Sequence, residues 1–248
     1  WDQRVQVTLR GLDVNATTFL KGQFVDLTLN PPDDTNASTG FSGATPAPLA
    51  PGDANSSAVT PVFNFARSNP HFEQVMVYHT IDSIQRYIHT LGFDNAITAS
   101  SPLANGIMDE VMNASANYLA ADQSWFTTSG AKGARLEFGY GKLTGNNADP
   151  FLPGPRNAGV DDGEDGDIIA HEYGHALQWA MKGKPAGGWA DVKGVTEWRA
   201  MGEGFGDYLA VSIFFGEGNA LYQQYHAAVR ADPDLIGGKG FGRHSIRN

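Results

Sequence analysis

The segment Asp161–Leu177 constrains this chain more than any other part of its sequence, because it places two histidines and a glutamate in a helical pattern. His171 and His175 are one helical turn apart, so their side chains point the same way with Cβ atoms about 6 Å apart. Two imidazoles so placed can bind one Zn²⁺ ion. Glu172 is rotated by roughly 100° from His171, so it can lie beside the metal. There it can take a proton from a water molecule that the metal activates and pass it to a departing amine.

A second helical segment supplies candidates for a third ligand. Glu203 follows His175 by 28 residues, and we expect the helix that carries it to begin near Arg199. Asp207 lies one turn beyond Glu203, on the same face. One of these carboxylates can complete a His/His/Glu site while the other accepts a hydrogen bond from a ligand imidazole. The alternative is that Glu203 is a buried acid that caps a helix.

Other ways of holding a metal fail on the sequence. The chain contains no Cys, so thiolate sites and disulfides are excluded, and any metal must be held by His and carboxylates. A metzincin site would need Gly in place of Gln178 and a third His in place of Met181. Glu197 and Glu217 lack a paired Asp, and we expect them to be solvated.

Composition limits the partners and the location. The formal net charge of −10 disfavours contact with phosphate backbones, so no nucleic acid partner is expected. The longest apolar run, 208–215, is far shorter than the roughly 18 to 20 residues of a membrane span, so none is expected. The chain starts at Trp1 without a leader, which predicts a processed or excised product. Abundant Gly and Pro, few charges and four Asn-x-Ser/Thr sequons favour a secreted, extracellular protein.

The hydrophobic pattern predicts an α+β chain. We expect residues 1–60 to form a β-rich N-terminal segment that runs into a long loop at 31–61, and residues 61–248 to form a core that carries both motifs. Within the core, apolar residues at three- and four-residue intervals predict a helix from Pro70 to Gly92. Met108–Ala121 is a weaker helical candidate, and the alternation in Arg135–Tyr140 predicts a strand.

The two motifs together carry a family resemblance. His-Glu-Tyr-Gly-His at 171–175, followed by Gly-Glu-Gly-Phe-Gly-Asp at 202–207, resembles the fungalysin family of secreted zinc metallopeptidases, whose catalytic core is similar to thermolysin. The match is strongest over residues 161–215, and residues 72–93 resemble the family's preceding helix. The implied fold is a zincin core with a β-rich N-terminal lobe and active-site helices.

The resemblance also implies roles for individual residues. Zinc would be bound by His171, His175 and Glu203, with Glu172 as the general base. Asp207 would orient His171, and Ile168 would help to form the pocket for the residue after the scissile bond. The segment Gln123-Ser124-Trp125 resembles the family's substrate-pairing edge, although the family often has Asn-Ala where this chain has Gln-Ser.

The acidic loop before the first histidine has two interpretations. Asp167 resembles a calcium-bearing position of thermolysin, and several carboxylates within residues 161–167 are costly to hold together unless a cation or solvent spreads their charge. Alternatively, Asp167 caps the N-terminus of the helix, where free N–H groups favour a carboxylate. The two roles can coexist, and a Ca²⁺ ion at Asp167, beside the Zn²⁺ ion, is one of the two interpretations.

The expected function is a zinc-dependent endopeptidase acting on polypeptide substrates. Only 45 residues follow Glu203, without a recognisable donor for the tetrahedral oxyanion. The family's helical C-terminal lobe is therefore expected to be missing, and that part of the same enzyme is an expected partner. The alternative is a catalytically incomplete metal-binding or interaction fragment in which zinc is structural. A zinc aminopeptidase is a third interpretation, which would need an acidic anchor for the substrate's amine.

Overall fold

The chain forms an α+β structure, in agreement with the predicted class. The computed structural model describes residues 7, 9–13, 20–27, 63, 65, 71–94, 106–108, 110–119, 124–128, 133–139, 162–184 and 196–214. These ranges hold three α-helices and a four-stranded mixed sheet. The elements are β1 (Val25–Asp26), α1 (His71–Thr90), β2 (Met112–Leu119), β3 (Trp125–Thr127), β4 (Arg135–Gly139), a 3₁₀ turn (Asp162–Glu164), α2 (Gly166–Met181) and α3 (Thr196–Phe214). The predicted loop 31–61 lies outside the described residues.

The sheet has the strand order β1-β2-β4-β3. β2 pairs in parallel with both β1 and β4, with an irregularity in its register to β4 between Ser115 and Leu119. β3 pairs antiparallel with β4 and forms one edge of the described sheet. Representative pairs are Val25 with Met112, Asn113 with Arg135, and Phe126 with Leu136.

Helix α1 confirms the helix predicted between Pro70 and Gly92. Gly92 has a φ of 86°, a left-handed conformation that suits glycine and ends the helix. The helix places one apolar stripe in the core, where each large side chain contributes roughly 1.5 to 3 kcal/mol by burial. This stripe consists of Val77, Tyr78, Ile81, Ile84 and Ile88.

The prediction of a helix over Met108–Ala121 is wrong, because most of this stretch forms strand β2. β2 lies between β1 and β4, and the side chains of Met112, Ala114 and Ala116 are almost fully buried. Alanine favours helices in isolation, but its small side chain also fits a central strand that packs against α1. Tertiary pairing therefore overrides the local preference here.

Helices α2 and α3 pack along each other, and α2 also contacts α1 and the sheet. α2 buries Ile169, Tyr173 and Ala176 in the core, while α3 contributes Leu209 and Ala210. Both helices were predicted, although α3 begins three residues before Arg199. Among the helices of the described ranges, none is long and apolar enough to cross a lipid bilayer.

Candidate metal centre

The N-terminus of α2 is fixed by Asp165, not by Asp167 as predicted. Asp165 has an extended backbone, and its Oδ1 accepts hydrogen bonds from the N–H groups of Asp167 at 2.9 Å and Ile168 at 3.4 Å. Asp167 lies inside the first turn, so its own N–H is one of the groups that the cap satisfies. The capping role predicted for Asp167 is therefore wrong by two positions. The cap sets the start of the turn that leads to His171.

His171 and His175 both lie on the buried side of α2, with exposed fractions of 3% and 8%. Their rings are perpendicular, and the ring centroids are 4.8 Å apart. Glu203, from α3, completes the group: its Oε2 is 3.3 Å from Nε2 of His171, and its Oε1 is 3.8 Å from Nε2 of His175. One ligand atom from each residue lies within 4.8 Å of the others. The structure thus brings together the three residues that the sequence selected.

This donor set fits a small divalent cation. Zn²⁺ binds imidazole nitrogen and carboxylate oxygen at about 2.0 to 2.2 Å, so neighbouring ligand atoms of a tetrahedron lie about 3.3 to 3.5 Å apart. The 3.3 Å between His171 Nε2 and Glu203 Oε2 matches this edge, while the 3.8 Å between His175 Nε2 and Glu203 Oε1 is longer than it. Nε2 of His171 is also buried without a hydrogen bond from the described residues, despite that short distance. A buried nitrogen aimed at a carboxylate in this way has the chemistry of a metal ligand.

Asp207 contacts the opposite nitrogen of the first histidine. Its Oδ1 lies 2.8 Å from Nδ1 of His171. If Nδ1 carries the proton and donates it to this carboxylate, Nε2 keeps its lone pair for a metal. Burial lowers the pKa of His171, but the nearby carboxylates of Glu203, Glu172 and Asp207 outweigh it and raise the pKa above its ordinary value. The negative charge around this imidazole would equally favour a cation.

Glu172 lies beside the histidines on α2 and is only 3% exposed. Its Oε2 accepts a hydrogen bond of 2.9 Å from the backbone N–H of Phe126 on β3. Phe126 also packs its ring against Trp179 of α2, with centroids 5.6 Å apart. The sequence analysis missed Phe126, because a backbone donor leaves no side-chain signature. Its position directly after the predicted edge 123–125 was the available signal.

The other predicted site residues lie around this group. Ile168 is half-buried and packs against the core one turn before His171. Gln123 lies outside the described residues. Ser124 is buried and donates a hydrogen bond of 2.7 Å to Asp162, while Trp125 is 37% exposed at the sheet edge. Ser124 therefore faces inward and Trp125 borders solvent.

The structure describes the acidic loop from residue 162 onward. Asp162, Asp165 and Asp167 are all buried, and burial together with the charge of Asp165 raises the pKa of Asp167 to about 7. Within the described ranges, the metal-ligating side chains that converge in a group of three are His171, His175 and Glu203. Calcium at Asp167 stays a prediction.

Comparisons with known proteins add no relative. No family model, no curated protein and no solved structure matches this chain. The resemblance to fungalysins consequently rests on the two sequence motifs, and the site must be judged by its own geometry.

Proposed function

We propose that this protein is a secreted zinc-dependent endopeptidase with a thermolysin-like, fungalysin-type catalytic core. The observation that carries the proposal is the convergence of His171, His175 and Glu203, from two separate helices, on one point. Asp207 on the first histidine and Glu172 beside it add the two accessory groups that such an enzyme needs. The two short motifs thus contain candidates for three roles, namely metal ligation, orientation of His171 and proton transfer.

The exposure of Glu203 favours catalysis over a structural metal. Structural zinc sites are closed by four protein ligands, whereas catalytic sites use three and leave a position open. Here three candidate ligands converge within the described ranges, and the side chain of Glu203 is 49% exposed while both histidines are buried. A site that is buried on the α2 side and open on the α3 side suits access by water and substrate.

We assign a separate step of peptide-bond hydrolysis to each of the residues around the site. A zinc ion, when bound, supplies Lewis acidity toward a carbonyl oxygen and lowers the pKa of water. The N–H of Phe126 holds Oε2 of Glu172, and we assign proton transfer to the carboxylate of Glu172. Glu172 would accept a proton from the attacking water and deliver it to the amine nitrogen that leaves. Asp207 would hold His171 in one tautomer throughout.

Strand β3 offers a place for an extended polypeptide. It is an edge strand of the described sheet, and a peptide that adds to such an edge is held by backbone hydrogen bonds, without strong dependence on sequence. The same strand donates to Glu172 through Phe126, so a peptide along β3 would lie close to the base. This placement favours cleavage within a chain, as an endopeptidase requires.

The first experiment measures metal content. Protein purified from zinc-containing medium should hold about one zinc per chain, and His175→Ala should lose it, because two protein ligands hold zinc far more weakly than three. His89→Ala is the matched control, since this histidine lies on α1 and contacts Gln85 instead of the site. Native protein without metal, or equal zinc in the two variants, would refute the proposal.

The second experiment separates catalysis from metal binding. Glu172→Gln should keep zinc but lose at least about a hundredfold in hydrolysis of an unstructured protein, because the amide cannot take a proton. Glu110→Gln, an exposed carboxylate paired with Lys184, is the control and should hydrolyse normally. A chelator should abolish activity, and end-blocked peptides should still be cut. A zinc-loaded native chain without hydrolysis would instead favour the alternative of a structural metal.

A further inference from the structure

The two helices that carry the ligands touch through glycine. A Cβ atom built on Gly174 of α2 would lie 2.9 Å from Cα of Gly206 on α3, closer than Cβ atoms come to backbone. A Cβ atom on Gly206 would lie 2.9 Å from the carbonyl oxygen of His171. The backbones of α2 and α3 therefore meet with no side chain between them, at a separation that only glycine on both sides permits.

The same contact surrounds the first histidine ring. The added Cβ at Gly206 would lie 2.8 Å from Nδ1 of His171 and 3.0 Å from its Cε1. Ordinary van der Waals contact begins at 3.4 Å, so alanine at 206 would displace the ring or the helix by about 0.6 Å. Metal sites keep their ligand distances within about 0.2 Å, so such a displacement exceeds their tolerance.

Gly206 is also placed between the functional residues of α3. It follows Glu203 by three residues and directly precedes Asp207, so all three move together as one helical turn. A shift of this turn away from α2 would lengthen both the Glu203 contacts and the hydrogen bond of Asp207 to His171. Any change in the separation of α2 and α3 therefore changes the distances between the side chains of the site.

A third glycine provides the contrast. Gly204 lies on the same helix, between Glu203 and Gly206, but it is exposed, and a Cβ built on it would meet nothing within 4 Å. Glycine inside a helix costs roughly 0.5 to 1 kcal/mol relative to alanine. That cost is offset by a close approach at Gly206, whereas no contact in the described residues calls for glycine at 204.

We propose that the Gly174–Gly206 contact is the positioning device of the metal site. It sets the separation of α2 and α3 at which Glu203 reaches both histidines, and it leaves the space against α3 that the ring of His171 occupies. Gly206 and Gly174 are positioning residues that touch neither metal nor substrate. The proposal rests on the proposed metal site, and it adds that ligand geometry is controlled by residues without functional groups.

The test compares Gly206→Ala with Gly204→Ala in the full chain. Zinc affinity is measured by competition with a chelating dye, and the visible spectrum of the Co²⁺-substituted protein reports the coordination geometry. We expect Gly206→Ala to lose roughly 10- to 100-fold in zinc affinity and to change the Co²⁺ spectrum, as for other supporting residues of metal sites. Gly204→Ala should stay within about twofold of the wild type, with an unchanged spectrum.

The outcomes separate the two proposals. A wild-type chain that binds no zinc refutes the proposed function and this inference together. A wild-type chain that binds zinc, with Gly206→Ala equal to Gly204→Ala in affinity and spectrum, overturns the positioning role alone. A packing role limited to stability would lower the melting temperature in chelator and leave the Co²⁺ spectrum unchanged, and that result also overturns it.

A second variant covers the case in which Gly206→Ala does not fold. His171→Ala removes the ring atoms that the new methyl group would meet and leaves its contact with the carbonyl oxygen of residue 171, so where Gly206→Ala alone does not fold, the double variant should regain cooperative unfolding, at a melting temperature below that of His171→Ala alone. This comparison is made in chelator and needs no metal. An equal loss in both backgrounds, or a double variant that also fails to fold, overturns the claim that Gly206 makes room for the ring.

Discussion

The acidic start of α2 makes a prediction that can be worked out in free energy. Asp167 is 6% exposed, and burial and the nearby charge of Asp165 raise its pKa from 3.8 to about 7. A carboxyl group with a raised pKa binds its proton more tightly in the native chain than in the unfolded chain. Its contribution to stability is therefore fully present below about pH 4 and is lost as the pH rises to about 7.

The magnitude follows from the shift. About three pKa units correspond to about 4 kcal/mol at pH 8, where the native carboxyl group is forced to ionise in a buried place. At pH 5 the native group is still protonated, and the free-energy cost is lower than at pH 8 by about 2 to 3 kcal/mol. Asp167→Asn removes this cost, so its stabilising effect should be larger at pH 8 than at pH 5 by that amount. For a chain of this size the difference corresponds to about 5 to 10 °C in melting temperature.

The assay is thermal unfolding of wild type and Asp167→Asn at pH 5 and pH 8, with a chelator present. Asp165→Asn is the matched variant: asparagine still caps α2, but the charge that raises the pKa of Asp167 is gone. The melting temperature of Asp165→Asn relative to wild type should therefore also be higher at pH 8 than at pH 5, by part of the amount expected for Asp167→Asn. A melting-temperature difference that is equal at both pH values would refute the reasoning. Repeating the scans with Ca²⁺ tests the calcium prediction, since a bound ion would stabilise the wild type and not Asp167→Asn.

Two further predictions concern hydrogen bonds to α2. Asp207→Ala should weaken zinc binding roughly 10- to 100-fold, because His171 loses the acceptor 2.8 Å from its Nδ1. Competition with a chelating dye measures the zinc affinity. An unchanged affinity would refute the role of Asp207 in orienting His171. Tyr173→Phe should lower the free energy of unfolding by about 1 to 3 kcal/mol, because the buried Oε1 of Gln85 loses the Tyr173 hydroxyl that donates to it at 2.7 Å. Urea titration measures this free energy, and a loss below about 0.5 kcal/mol would contradict the prediction.

The helices could be predicted because their information is local. α1 and α2 carry apolar residues at helical spacing, and Gly92 marks the end of α1 in the sequence itself. The cap of α2 could not be assigned as sharply, because Asp161, Asp162, Asp165 and Asp167 are all suitable residues. Which of these aspartates caps α2 depends on where the 3₁₀ turn at Asp162–Glu164 ends and the helix begins.

Strand β2 could not be predicted for a related reason. A strand that is buried on both faces of its sheet need not alternate between apolar and polar residues. The consecutive residues Ala114, Ser115 and Ala116 of β2 are all buried. These small residues read locally as a helix. Only their pairing with β1 and β4, which are distant in sequence, makes the extended conformation the stable one.

The candidate metal ligands illustrate the same division between local and non-local information. The spacing of His171 and His175 follows from one helical turn, and the pairing of Glu203 with Asp207 follows from another. Their convergence depends on how closely two helices approach, and that distance is set by glycines which, by propensity alone, only weaken the helices. A glycine inside a ligand-bearing helix can therefore indicate a close contact between two helices. At Gly204, where no other atoms of the described residues approach, alanine should replace glycine without effect on the site. At Gly206, where the two backbones meet, the geometry of the site should depend on the glycine.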